Sequence, residues 1–284
     1  MTDRPNILLV LADQMRPDEV GEATPALNRL AKRGLAFPNC YSAAPLCQPA
    51  RNCIVTGRFP TQHGVCGNMN DPIDTGERAD TYPNHLQNAG YHTAYIGKHH
   101  YIDRFNVGMD LTDDDDTFKA YGYDFIHHVS DVQEGLHNDD RYTHWLAERN
   151  KREEYRENLA WTYYRDLDPD DTVDGYIGRQ ALDYLDRWTP DRPLFLTVGF
   201  VGPHPPYWPS GSYAEMFDPD DMPPPLDVTD PEQIRKAQYS RARKRGLVRH
   251  IDDRLARLLA KLDEKGMTEN TLVIFTADHG DLAG

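Results

Sequence analysis

Ile7-Leu8-Leu9-Val10-Leu11-Ala12 is an unbroken apolar run, and Asp13-Gln14 follow it directly. An apolar stretch without polar alternation is the mark of a strand buried on both faces, as in a parallel sheet. Three further runs repeat the pattern: Thr93–Ile96, Leu194–Phe200 and Leu272–Thr276. Helical spacing fills the intervals between them. Thr24 can cap a helix with Pro25 in its first turn, Leu27, Leu30 and Ala31 on one face, and Gly34 just past its end. A second helix is expected from Asp171 to Trp188, on the spacing of Val173, Ile177, Ala181, Leu182 and Leu185. A third runs to about Lys265, with Leu247, Ile251, Leu255, Leu258, Leu259 and Leu262 as its stripe and Gly266 as its stop. Strands alternating with helices imply an α/β fold, a mostly parallel central sheet with helices on both faces.

The length of 284 residues suits one large domain, so residues 1–284 read as a single α/β unit. A formal charge of −15 argues against polyanionic partners, so neither nucleic acid nor an anionic membrane is expected. Any anionic substrate must then be held by a local basic cluster. The run Ile7–Ala12 is too short for a membrane span or a signal-peptide core, which makes a cytoplasmic protein the expectation. The cysteines at 40, 47, 53 and 66 form no Cys-x-x-Cys pair, against a zinc ribbon or a disulfide framework. The least regular stretch lies between about Asp103 and Asp170. Its acidic run Asp113–Asp116 reads as a solvated loop rather than a calcium site.

In an open α/β sheet, ligands bind beyond the carboxyl ends of the strands. Here each apolar run ends in polar chemistry: Asp13-Gln14, then Lys98, His99 and His100, then His204, then Asp278-His279. Two carboxylates, an amide oxygen and an imidazole could bind one divalent cation, while Lys98 and the histidines could hold and protonate an anion. Pro49 suits a first helical turn, which sets Cys47 at a helix N-terminus with Arg51 as a nearby positive charge. A reactive thiolate is the direct reading of Cys47, because such a position lowers a thiol pKa. Cys40, Cys53 and Cys66 read as buried structural cysteines.

Cys47, Pro49 and Arg51, continuing to Thr56-Gly57, resemble the signature of the sulfatases of the alkaline phosphatase superfamily. Other landmarks match in order: Arg4-Pro5-Asn6-Ile7 through Asp13-Gln14, Gly97-Lys98-His99-His100, Gly202-Pro203-His204-Pro205-Pro206-Tyr207, and Thr276-Ala277-Asp278-His279-Gly280-Asp281. The resemblance implies that a formylglycine-generating enzyme oxidises Cys47 to formylglycine. It implies Asp13, Gln14, Asp278, His279 and position 47 as ligands of one divalent cation. Calcium is the usual family ion; Gln14 and His279 in place of carboxylates leave manganese or magnesium open.

The resemblance further implies a hydrated aldehyde as nucleophile, acidified by the cation and by Arg51, with Lys98 on the sulfate oxygens. His100, from the Lys-x-His spacing, takes a proton from the diol, and His204 protonates the leaving alcohol. His99 in the role of His100 stays open. His63 reads as structural. The substrate implied is a small sulfated sugar, aryl or other alcohol, with specificity expected in 103–170 and in Trp208–Pro225; Tyr207 and Trp208 either stack on a ring or pack. Family members continue past the Asp278-His279-Gly280-Asp281 segment into a smaller C-terminal subdomain, so the chain reads as an N-terminal catalytic portion with apolar surface exposed near its last strand. The alternatives are a phosphonate monoester or phosphodiester hydrolase of the same superfamily, and a non-catalytic anion-binding remnant.

Overall fold

The computed structural model describes residues 4–68, 80–102, 108–157, 165–189 and 191–281. Five parallel strands form one sheet in the order β3-β2-β4-β1-β5. They are β1 (Asn6–Ala12), β2 (His92–Gly97), β3 (Phe125–His128), β4 (Leu194–Gly199) and β5 (Thr271–Ala277). The four apolar runs are thus β1, β2, β4 and β5. β3 is an added edge strand inside the stretch expected to be irregular; with two histidines in four residues it carries no apolar run. The parts of 103–170 that fall at 103–107 and 158–164 lie outside the described residues.

The helices that position the site are α1 (Pro25–Arg33), α2 (Cys47–Thr56), α3 (Tyr82–Asn88), α4 (Val173–Arg187) and α5 (Pro231–Glu264). α1, α4 and α5 cover one face of the sheet. There Leu8, Val10, Leu196 and Val198 meet Ile177 and Ala181 of α4 and Ile251, Leu255 and Leu258 of α5. The opposite face buries Leu9, Tyr95, Phe195 and Ile126 beside Val55 of α2, with Tyr82 and Leu86 of α3 packed on them. Two buried faces explain why the strands read as continuous apolar runs. At the β5 edge Val273 and Phe275 pack inward, while Leu272 is 52% and Ile274 39% exposed, the apolar surface expected there.

One local reading is corrected. Thr24 does not cap α1 with its side chain; Asp252 of α5 does, accepting from the Ala26 and Leu27 amides at 2.7 and 2.8 Å. α5 also begins well before its leucine stripe, capped by Asp230, which accepts from the Glu232 amide at 2.9 Å. Of the acidic run, Asp115 pairs with Arg141 and Asp116 with Lys119; the side chains of Asp113 and Asp114 lie outside the described residues. Among the described residues no helix is long and apolar enough to cross a membrane.

Candidate active site

Register brings the site together. Ala12 of β1 pairs with Ala277 of β5, so the next residues, Asp13 and Asp278, emerge side by side. Gly97 of β2 pairs with Gly199 of β4, and Lys98 follows. A Cβ on Gly97 would stand 2.0 Å from the Gly199 carbonyl oxygen, and φ at Gly97 is +107°, so only glycine lets the two backbones meet where Lys98 leaves the sheet. Gln14 and His100 adopt left-handed φ of 65° and 50°, local strain of the kind that gathers at functional sites.

α2 begins at Cys47, as Pro49 implied, and ends at Gly57, whose amide donates to the Cys53 carbonyl at 2.8 Å. One turn separates Cys47 from Arg51, so both side chains share the face turned to the strand ends. Cys47 Sγ lies 3.1 Å from His279 Nε2 and 3.5 Å from Asp13 Oδ1. Arg51 Nε donates to Asp278 Oδ2 at 2.8 Å, Nη1 to the Lys98 carbonyl at 2.5 Å, and Nη2 is 3.6 Å from Asp13 Oδ2. Lys98 Nζ sits 2.5 Å from Asp13 Oδ2 and 3.3 Å from Asp131 Oδ2.

Ligand atoms of Asp13, Cys47, Asp278 and His279, all buried, lie within 4.8 Å of one another. Two carboxylates and an imidazole at that spacing fit one divalent cation. Gln14 adjoins the group through its backbone, its amide donating to Asp278 Oδ1 at 3.0 Å.

Electrostatics decides the state of Cys47. Burial and the Asp13 carboxylate push its thiol up to about 12, overriding the helix N-terminus, so the reading of Cys47 as a reactive thiolate is corrected. Burial alone would raise Asp13, but Lys98 and Arg51 outweigh it and hold the carboxyl well below its usual range. The same balance lowers Asp131 to about 2, burial opposing and Lys98 prevailing. Burial, reinforced by Lys98, lowers His204, with Asp13 and Asp131 pulling the other way. His204 Nδ1 lies 2.6 Å from the Pro205 carbonyl, to which it donates, which leaves Nε2 as the atom able to carry a transferable proton.

The two adjacent histidines separate. His99 is fully buried between Phe118 and His128, with ring centroids at 3.7 and 4.2 Å, and burial keeps it neutral. Its ring belongs to the aromatic core, while His100 is close enough to Asp131 to help lower that carboxyl. His63 holds the loop after α2: its Nδ1 accepts from the Val65 amide at 3.1 Å, and Nε2 lies 3.3 Å from Cys53 Sγ. Cys53 is buried as expected. Cys40 and Cys66 are exposed, against expectation, because both sit in surface loops. The Tyr207 hydroxyl donates to Asp281 Oδ2 at 2.9 Å, and Trp208 packs on the main core.

A model of the Sulfatase family matches residues 5–284. The chain belongs to the sulfatase family. It is 30% identical to an arylsulfatase of Clostridium perfringens, over 99% of this chain and 64% of that protein. It is 29% identical to a choline-sulfatase of Rhizobium meliloti, over 100% of this chain and 59% of that one. The chain therefore spans about three-fifths of the length of these curated relatives. In fold it resembles the phosphonate monoester hydrolase of Agrobacterium radiobacter, with a TM-score of 0.78 at 22% identity, over 99% of this chain and 63% of that one.

Two residues of this sulfatase-family site had no sequence signal. Asp131, beside Lys98, is an isolated acid in the irregular stretch. Asp174, in the first turn of α4, accepts from the Val201 and Gly202 amides at 2.8 and 3.0 Å and so fixes the loop that carries His204. Burial lifts the Asp174 carboxyl to about 6. A folded-state pKa above the unfolded one means stability present at low pH and lost as pH rises through about 6. Asp174→Asn keeps an acceptor oxygen without the charge. Relative to the parent chain it should gain about 2–3 kcal/mol between pH of about 4 and 8. Urea unfolding of both proteins across that range checks this; parallel curves would contradict it.

Proposed function

We propose that the chain is the catalytic α/β unit of a sulfuric-ester hydrolase, with Cys47 converted to formylglycine on a divalent-cation centre formed by Asp13, Gln14, Asp278 and His279. The observation that carries this is the meeting of position 47 with two carboxylates and an imidazole within 4.8 Å, with Arg51 and Lys98 beside them. Sulfur is the one soft atom in an otherwise hard donor set, and an oxygen at position 47 would complete that set for calcium, or for manganese or magnesium. A formylglycine there would supply a hydrated aldehyde as nucleophile, and the cation would lower the pKa of its hydroxyl and offset ester charge.

The chain's own groups divide the remaining work. Arg51 and Lys98 balance the Asp13 and Asp278 carboxylates, so an added divalent cation would make the pocket net positive, ready for an anionic ester in an acidic protein. Lys98, held between Asp13 and Asp131, presents its ammonium to the ester oxygens. His100 is assigned as the base for the second hydroxyl. His204, its Nδ1 engaged by the Pro205 carbonyl, donates a proton from Nε2 to the departing alcohol.

A general acid must be protonated, and burial with Lys98 favours the neutral form of His204. The alkaline limb of kcat/KM should therefore fall at a pH below the ordinary histidine range of about 6.5. His204→Gln should flatten that limb and slow esters with poor leaving alcohols most. An alkaline limb unchanged in the variant would assign the proton elsewhere.

The relatives' activities suggest aryl and choline sulfates as first substrates, and the partner required is a formylglycine-generating enzyme. A phosphonate monoester hydrolase is the second reading, favoured by His279, whose imidazole lowers the negative charge facing a phosphoryl group. The test is to co-express the chain with that enzyme and assay aryl sulfate, choline sulfate and an aryl phosphonate monoester with calcium, manganese or magnesium. Sulfate release that chelation abolishes is expected; turnover of the phosphonate alone would establish the second reading.

A further inference from the structure

Lys244 of α5 lies behind the candidate cation centre, and its side chain is 3% exposed. A buried ammonium needs an acceptor for each of its three protons. Lys244 Nζ finds them in Asp281 Oδ2 at 2.7 Å, Glu19 Oε1 at 2.9 Å and the Gln14 carbonyl at 3.2 Å. All three acceptors belong to the segments that leave β1 and β5. Gln14 directly follows Asp13, and Asp281 lies just past His279. Asp281 Oδ2 also receives the Tyr207 hydroxyl, from the segment that carries His204.

One ammonium thus joins the exits of β1 and β5 and, through Asp281, the loop after β4, without touching a donor side chain. Its own helix is seated closely enough to act as a fixed post. A Cβ on Gly246, one residue beyond Arg245 on α5, would come within 2.4 Å of the Tyr213 carbonyl. Near the centre the same two exits are bridged by the Gln14 amide on Asp278 Oδ1, and the His279 amide donates to that oxygen at 2.8 Å. The first of these bonds crosses between the exits and holds only while they stay in register; the second orients the shared oxygen within the β5 exit. Without the ammonium, Glu19 and Asp281 would face each other as buried carboxylates and force the exits apart.

We infer that Lys244 is a positioning residue, a staple that holds the β1 and β5 exits so that Asp13, Asp278 and His279 meet in cation-binding geometry. The inference rests on the cation centre proposed above.

The test compares the full chain with Lys244→Met and Lys244→Arg, reading residue-resolved hydrogen exchange and the calorimetric affinity for calcium and for manganese. In Lys244→Met the Gln14 and His279 amides should exchange about tenfold faster or more while β1 and β4 amides hold, and cation affinity should fall about 10–100-fold. Lys244→Arg should recover most of both. Unchanged Gln14 and His279 exchange, with faster exchange confined to α5, would overturn the inference and make Lys244 a helix anchor only. If the parent chain binds neither cation, the cation centre falls, while the exchange data still decide whether Lys244 staples the exits. If Lys244→Met does not fold, Glu19→Gln removes one acceptor charge and keeps the Asp281 pair; it should move both readouts in the same direction by less, and no movement would again overturn the inference.

Discussion

Arg51→Leu is expected to lower the unfolding free energy by about 3–5 kcal/mol. The Arg51, Asp13 and Asp278 side chains are all 0% exposed. The guanidinium donates to Asp278 and to the Lys98 carbonyl, and its Nη2 faces Asp13 at 3.6 Å as a charge contact without a hydrogen bond. Leucine fills much of the volume but leaves two buried carboxylates with Lys98 as the one remaining nearby cation. The sign of the pH dependence follows. The Asp13 pKa, depressed against burial by Lys98 and Arg51, contributes stability above the unfolded carboxylate range that is lost as pH falls. In the variant that contribution shrinks, so the gap between the two proteins should narrow toward low pH. A divalent cation bound by the same carboxylates should restore part of the loss at neutral pH, by mass action on the folded state. Urea unfolding with and without calcium measures both effects; an unchanged midpoint would show that the pair Arg51–Asp278 does not organise the site.

Cys47→Ala should abolish turnover, by about ten-thousand-fold or more, while leaving the melting temperature near that of the parent. The thiol is buried, but its small volume and its high pKa, to which burial and Asp13 contribute, mean that its removal takes away neither a charge nor much packing. Cys40→Ser and Cys66→Ser are internal controls. Both residues are exposed thiols in surface loops, and turnover in these variants should match the parent. Appreciable sulfate release by a folded Cys47→Ala protein would place the nucleophile elsewhere.

The sheet was legible because its strands are buried on both faces and carry uninterrupted apolar runs. β3 was hidden because its residues, Phe125-Ile126-His127-His128, alternate at a sheet edge. The start of α5 was hidden because residues 231–246 carry charge on most faces, and its end was visible because the leucine stripe meets the core. The strand-end polar residues were legible as a group, since parallel strands deliver them to one side. Their state was not. A helix N-terminus at Cys47 argues for a thiolate, and only the tertiary placement beside Asp13 shows that burial prevails. His99 and His100 are neighbours in sequence that only packing tells apart. Asp131, Asp174 and Lys244 act through partners 33, 27 and 230 residues away, a separation that no local pattern encodes.

The most direct measurement is the mass of the tryptic peptide Gly34–Arg51 from chain co-expressed with a formylglycine-generating enzyme. This peptide carries Cys40 and Cys47 together, so Cys40 serves as the unmodified reference. Exchange of the Cys47 thiol for an aldehyde or its hydrate is expected, with one alkylatable thiol remaining and cation-dependent sulfate release in the same preparation. Two intact thiols under conditions that convert a control sulfatase would contradict the formylglycine nucleophile, leaving a sulfatase fold whose buried cysteine does no chemistry.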